Sequence, residues 1–147
     1  MDNIHDVEVL LVEDNLDEAG LVIRALKKNN LGNNLVHLED GAEALDFIFA
    51  RGAYSDRKVE FKPKVVLLDL KMPKVDGLQV LKEIRNDKRT KLIPVVIMTS
   101  SAEQKDIIES YGLGVNAYVV KPLDFENFYK VMIDLGLFWL LVNQPPG

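Results

Sequence analysis

The sequence has no cysteine, and this absence excludes several classes of functional site. Disulfides, iron–sulfur clusters, zinc fingers and thiol catalysis all require cysteine side chains. Only two histidines are present, His5 and His37, and their wide separation argues against a histidine-rich metal site. We interpret His37 as a residue of the surface or of an edge strand rather than a ligand.

Surplus positive charge and long apolar runs are absent as well. The 147 residues carry 18 Lys and Arg against 23 Asp and Glu, a net charge of −5, so neither nucleic acid nor an anionic membrane is predicted as a main partner. The longest unbroken apolar run, Leu137–Val142, is far shorter than the ~20 residues that cross a bilayer. The first residues do not resemble a secretory signal peptide, so we expect a cytoplasmic protein.

Five short apolar segments, rich in Val, Leu and Ile, predict β-strands. They are Val7–Val12, Leu35–Leu38, Val65–Leu68, Pro94–Met98 and Ala117–Val120. Because they do not alternate strictly between apolar and polar residues, they indicate strands of a parallel sheet with both faces buried. The segment that contains His37 is predicted at an edge.

Amphipathic segments with helical spacing separate these strands. They are Leu16–Asn29, Gly41–Ala50, Leu78–Arg85, Ala102–Tyr111 and Asp124–Leu141. In the first, the spacing predicts one apolar face containing Leu21, Val22, Ala25 and Leu26. In the fourth it predicts one containing Ile107, Ile108 and Tyr111. Alternating strands and helices predict an α/β fold, a doubly wound (βα)5 flavodoxin-like three-layer sandwich with strand order 2-1-3-4-5. We expect one domain over residues 1–147, with its core at about 7–141 and no output domain.

Polar residues directly follow four of the predicted strands. They are Glu13 and Asp14, Asp69, Thr99 with Ser100 and Ser101, and Lys121. The carboxyl ends of parallel strands meet at one edge of the sheet, which is where ligands bind in this architecture. Three carboxylates, a hydroxyl and an ammonium group should therefore converge.

This combination of groups predicts magnesium-assisted phosphoryl transfer onto an aspartate. Neighbouring carboxylates repel unless a cation joins them, and hard oxygen ligands favour Mg²⁺. Lys121 and Thr99 are donors suited to phosphoryl oxygens. A carboxylate can itself act as the nucleophile and form an aspartyl phosphate.

From Val7 to Leu141 the chain resembles the receiver domain of two-component response regulators. The residues that carry the resemblance are the acidic pair Glu13-Asp14, the phosphoacceptor position Asp69 within Leu67–Gly77, the switch segment Thr99–Ala102, the rotating aromatic position Tyr118, and Lys121-Pro122. The spacings of 30 residues from Asp69 to Thr99 and 22 from Thr99 to Lys121 also fit this family.

The resemblance implies a role for each residue around the phosphoacceptor. Asp69 would accept a phosphoryl group from a sensor histidine kinase. Asp14, Asp69 and the backbone carbonyl of Lys71 would bind Mg²⁺, and Glu13 would act through a metal-bound water. Lys121 would pair first with Asp69 and then with the phosphoryl group.

The resemblance also implies a switch. Thr99 would bond the phosphoryl group and Tyr118 would follow it inward, shifting the face formed by helix 4, strand 5 and helix 5. Such a protein is not an enzyme beyond its own phosphorylation and dephosphorylation.

Two segments bear on partners. The long connection Arg51–Pro63 is similar to insertions in single-domain receivers that pair with phytochrome-type histidine kinases, and its alternative is a solvated loop. The run Leu137–Val142 is apolar on every side of a helix, which favours a homodimer through helix 5 and strand 5 over a tail that folds back.

Other interpretations of the same residues remain open. A phosphatase with an aspartyl-phosphate intermediate needs an acid where Lys71 stands, and a flavodoxin-type FMN carrier needs a phosphate-binding loop where Glu13-Asp14 stands. A receiver-shaped protein-binding module would use the fold without the chemistry. Singly, Glu13 and Asp14 could be helix-start residues and Asp69 a turn residue. Thr99 could be a cap, Lys121 a solvated lysine and Tyr118 an ordinary edge-strand residue. We interpret Asp76-Gly77 as the turn and cap that open helix 3.

Overall fold

The computed structural model describes residues 9–28, 34–72, 74–121 and the single positions 126, 130 and 133. The strands are β1 (Val9–Val12), β2 (Leu35–Leu38), β3 (Val65–Leu68), β4 (Val95–Thr99) and β5 (Ala117–Val120). The helices are α1 (Leu16–Lys28), α2 (Gly41–Ile48), α3 (Gly77–Asn86) and α4 (Gln104–Gly112). Apart from the single positions 126, 130 and 133, the predicted helix Asp124–Leu141 lies outside the described residues, as do the apolar run Leu137–Val142 and Pro122.

The five strands form one parallel sheet in the order β2-β1-β3-β4-β5, which confirms the predicted topology. Every residue of β1, β3 and β4 is buried, as their continuous apolar sequences indicated. Because side chains alternate along a strand, Leu10 and Val66 pack on the side of α2 and α3. Val9 and Val65 pack on the opposite side, against α1. Among the described residues, no helix is long and apolar enough to cross a bilayer.

The helix α1 differs from its predicted burial at one position. Val22 and Leu26 are buried, whereas Leu21 is 59% exposed. The buried face is therefore completed by Ala19 instead, one turn before Val22.

The helix α4 contradicts its predicted orientation. Ile108 and Tyr111 are 62% and 52% exposed, and the buried residues of the helix are Asp106 and Ser110. Apolar periodicity shows which residues share a face but not which face meets the protein. Here polar partners beneath Asp106 decide the orientation, so that Ile108 and Tyr111 point outward and Ile107 is only partly buried.

The side chain of Arg57 connects the insertion Arg51–Pro63 to the end of α2. The guanidinium of Arg57 lies 3.7 Å from the ring centroid of Phe47 and donates to the carbonyl oxygens of Phe47 and Phe61. The same ring meets Tyr54, within a short 3-10 turn at Gly52–Tyr54, edge to face at 5.2 Å. The insertion is thus an ordered part of the α2 side of the molecule.

Candidate functional site

Three carboxylates meet at the ends of β1 and β3. Glu13, Asp14 and Asp69 each offer one oxygen, and these three oxygens lie within 4.8 Å of one another. The sheet explains this closeness, because the Asp69 N–H donates to the carbonyl oxygen of Val12 at 3.1 Å and sets the two strand ends side by side. Glu13 and Asp69 are buried and Asp14 is exposed, so the cluster opens to solvent on one side.

The ammonium group of Lys121 neutralises part of this charge. Its side chain is 8% exposed and donates to Glu13, to Glu18 and, at 3.3 Å, to Asp69. Burial lowers the pKa of Lys121, but the hydrogen bonds to the two glutamates and the charge of Asp69 outweigh it and raise the pKa to about 12. The lysine therefore remains charged and ties β5 to the acidic cluster.

Glu18 is a member of the site that the sequence analysis missed. The side chain of Asn15 accepts from the Glu18 N–H at 3.0 Å and caps α1, so the helix begins immediately after the acidic pair. Its first turn then carries Glu18 back toward Lys121. An acid in a first turn is ordinarily explained by the helix dipole, which is why the sequence alone did not distinguish it.

Two hydrogen bonds, one to its backbone and one to its side chain, fix the position of Glu13. The ring N–H of His37 at Nε2 donates to the backbone carbonyl of Glu13 at 2.8 Å, and the Asn15 N–H donates to its carboxylate at 3.1 Å. His37 is thus a partly buried edge-strand residue that supports the site without ligating it. Burial dominates over these donors and over Lys121, and raises the pKa of Glu13 to about 7.

This raised pKa predicts a pH-dependent stability in the absence of divalent cations. Between the ordinary pKa of 4.5 and about 7, the folded protein binds a proton at Glu13 that the unfolded chain has lost. The free energy of unfolding should therefore fall as pH rises through this window, by at most ~1.4 kcal/mol per pH unit. Chemical denaturation of wild type and Glu13→Gln across the window measures it. Identical slopes in the two proteins would contradict the assignment to Glu13.

The remaining predicted residues lie on β4, on β5 and in the loop after β3. Thr99 is fully buried at the end of β4, and its hydroxyl oxygen accepts from the Ser101 N–H at 3.4 Å. The half-buried Tyr118 donates its hydroxyl to the carbonyl oxygen of Ser101 at 2.8 Å. The backbone N–H of Lys71 donates to Asp69 at 3.3 Å, so the loop after β3 folds beside the carboxylate. The backbone of Lys71 thus contacts Asp69, and Thr99 and Tyr118 both contact Ser101. The roles of these residues in phosphorylation remain predictions.

The loop after β3 closes onto α3 as the sequence predicted. The side chain of Asp76 accepts from the Gln79 N–H at 3.0 Å and caps the helix, which begins at Gly77. An open pocket of about 300 Å³ lies beside this loop. Its lining residues are Asp14, Leu70, Lys71, Met72, Asp76 and Leu78.

Residues 9–133 match the response regulator receiver domain family. The chain belongs to this family. It is 38% identical to the probable methanogenesis regulatory protein FilR2 of Methanothrix harundinacea over 95% of this chain and 87% of that protein. It is 38% identical to the response regulator Rcp1 of Synechocystis over 90% of this chain and 88% of that protein.

A solved structure shows the same receiver fold at higher identity. The bacteriophytochrome response regulator AtBRR is 49% identical, superposes with a TM-score of 0.81, and is matched over 95% of this chain and 99% of that one. The resemblance inferred from the strand-end motifs is therefore confirmed at the level of family and fold.

The acidic cluster has the donor set that a hard divalent cation requires. Carboxylate oxygens are the protein ligands that Mg²⁺ prefers, and Mg²⁺ keeps several waters when only one or two carboxylates bind it. Asp14 and the opening beside it leave space for such waters. Lys121 occupies the buried side, so its ammonium and a cation at Asp14 would contact the cluster from different directions.

Proposed function

We propose that this receiver is a stand-alone response regulator whose Asp69 accepts a phosphoryl group from a sensor histidine kinase. One observation carries the proposal: the Asp69 carboxylate lies beside an acidic pair suited to a divalent cation and accepts from the Lys121 ammonium at 3.3 Å. The ammonium group, and a cation held by the acidic pair, would both compensate the negative charge that a phosphoryl group brings. A carboxylate in this position is poised as a nucleophile.

The chemical step is the exchange of one phosphorus bond for another. A carboxylate oxygen of Asp69 forms a bond to phosphorus while the bond from phosphorus to the imidazole nitrogen of the kinase phosphohistidine breaks. The bonding electrons leave with the imidazole, and the product is a mixed anhydride at Asp69. Lys121 holds one side of the transferred group, and Thr99 is the hydroxyl donor that approaches it when the loop after β4 shifts.

The metal in this proposal is Mg²⁺. Asp14, Asp69 and the Lys71 carbonyl would bind it directly, and Glu13 would act through a bound water. When bound, the ion neutralises phosphoryl oxygens as negative charge accumulates on them. In support, the related Rcp1 has a crystal structure described as its Mn²⁺-bound form, at 36% identity and a TM-score of 0.77.

The output of this receiver is a change of surface rather than turnover of a substrate. We infer that phosphorylation biases Thr99 and Tyr118 and so reshapes the surface of α4 and β5. The similarity to a bacteriophytochrome response regulator supports a phytochrome-type kinase as partner. We also propose that the protein forms a homodimer through helix 5 and Leu137–Val142. We further propose that it is cytoplasmic.

Phosphoryl uptake from acetyl phosphate tests this function directly. Intact-mass spectrometry should show one added phosphoryl group in the presence of Mg²⁺, and EDTA should prevent the addition. The phosphatase substrate p-nitrophenyl phosphate should not be turned over. Rapid hydrolysis of such esters would instead support the phosphatase, and no adduct from either acetyl phosphate or a phosphorylated kinase would support the binding module.

A further inference from the structure

The side chain of Lys71 is directed away from the phosphoacceptor that its own backbone contacts. Its N–H donates to Asp69, but its ammonium pairs with the carboxylate of Asp106, in the first turn of α4, at 3.6 Å. The Lys71 side chain is 64% exposed and that of Asp106 only 3% exposed. A largely exposed cation thus joins the loop after β3 to a buried anion on a different element.

Asp106 links this ion pair to the neighbourhood of the switch residues. The Ser101 hydroxyl donates to the same Asp106 oxygen at 2.6 Å, and the Ser101 carbonyl accepts from the Tyr118 hydroxyl. The hydrogen bond from Ser101 lowers the pKa of Asp106, against the effect of burial, so the carboxylate is ionised. Lys71, Asp106, Ser101 and Tyr118 therefore form one connected polar chain.

The attachment of α4 makes this chain important for the position of the helix. Asp106 and Ser110 are its buried residues, Ile107 is only partly buried, and Ile108 and Tyr111 are exposed. A helix that buries polar rather than apolar residues gains little from the hydrophobic effect. The first turn of α4 is held by the ion pair between Asp106 and Lys71. A change in charge near this pair should therefore change the position of the helix.

We propose that Asp106 competes with phosphorylated Asp69 for the ammonium group of Lys71. At rest, Lys71 bridges the β3–α3 loop to α4. A phosphoryl group on Asp69 adds negative charge and three acceptor oxygens, which draw the ammonium away and release the first turn of α4. This inference rests on the proposed function, because it assigns Asp106 as a positioning residue that acts through Lys71 on the phosphorylated site.

Two substitutions separate this competition from a merely structural role. Asp106→Asn keeps the shape and the bond from Ser101 but removes the competing charge, so beryllium fluoride with Mg²⁺, an analogue of the phosphoryl group, should bind roughly three- to tenfold more tightly. Lys71→Met removes the ammonium and should weaken binding of the analogue. Both variants break the bridge, so both should accelerate amide exchange in residues 104–112. Fluorine NMR measures analogue binding, and hydrogen-exchange mass spectrometry measures the helix.

The matched control is Glu103→Gln, which removes an exposed negative charge at the same end of α4 without an ion pair to Lys71. Its effect on analogue affinity should be smaller than that of Asp106→Asn. In a Lys71→Met background, Asp106→Asn should lose its advantage and act like the control. Wild-type affinity in Asp106→Asn, or an undiminished gain without Lys71, would overturn the competition. If the wild type fails to bind the analogue through Asp69, the proposed function fails instead.

Discussion

Asp69→Asn is expected to abolish phosphoryl uptake completely. The amide keeps the size of the carboxylate and one oxygen, so it can still accept hydrogen bonds from Lys71 and Lys121. It lacks the anionic oxygen that attacks phosphorus, and a mixed anhydride cannot form. Incubation with acetyl phosphate and Mg²⁺, followed by intact-mass spectrometry, measures the loss against wild type.

Asp76→Asn is the matched control for that experiment. It makes the same chemical change in the same loop, where the side chain caps α3 rather than faces the cluster. Asparagine caps helices about as well as aspartate, so folding and phosphoryl uptake should be retained. An adduct on Asp69→Asn equal to that of wild type would refute Asp69 as the acceptor. Loss of uptake in both variants would point to a general requirement for charge in the loop.

Gly77→Ala is expected to destabilise the protein by about 2–3 kcal/mol, through overpacking. A β-carbon at this position would lie 2.2 Å from the carbonyl oxygen of Asp69 and 2.8 Å from the α-carbon of Leu70. Both are backbone atoms, so neither can turn aside as a flexible side chain would. The loop that presents the phosphoacceptor must move, and phosphoryl uptake should slow together with the loss of stability.

Chemical denaturation of Gly112→Ala provides the comparison. A β-carbon there would meet no heavy atom within 4 Å, so this substitution adds a methyl group to a helix without a clash. Its free energy of unfolding should equal that of wild type or exceed it by up to ~1 kcal/mol. Equal free energies of unfolding for Gly77→Ala and Gly112→Ala would show that the start of α3 is not in tight contact with the backbone of Asp69.

The sequence was sufficient for the sheet and for the residues at its edge. Buried parallel strands require continuous apolar segments, and chain order with right-handed crossovers leaves few topologies. The position of a strand in the sheet also fixes the position of the residues that directly follow it. For this reason the convergence of Glu13, Asp69 and Lys121 was predictable before any side chain was placed.

Side chains that reach the site from helices were not predictable in the same way. Glu18 contacts Lys121 only because Asn15 starts α1 at a particular residue, and Asp106 is buried only because α4 is rotated to meet Ser101 and Lys71. Helical spacing contains no information about that rotation. The wrong prediction that Ile108 is buried has the same cause, because it also depended on the rotation of α4.

The most direct test of the central claim is to locate the phosphoryl group within the chain. Borohydride reduces an acyl phosphate of aspartate to homoserine, so the phosphorylated protein can be reduced, digested and sequenced by mass spectrometry. We predict homoserine at position 69 alone, formed only after phosphorylation with Mg²⁺ present. Homoserine at position 14 or at another aspartate, or phosphorylated protein without any reducible residue, would contradict Asp69 as the phosphoacceptor.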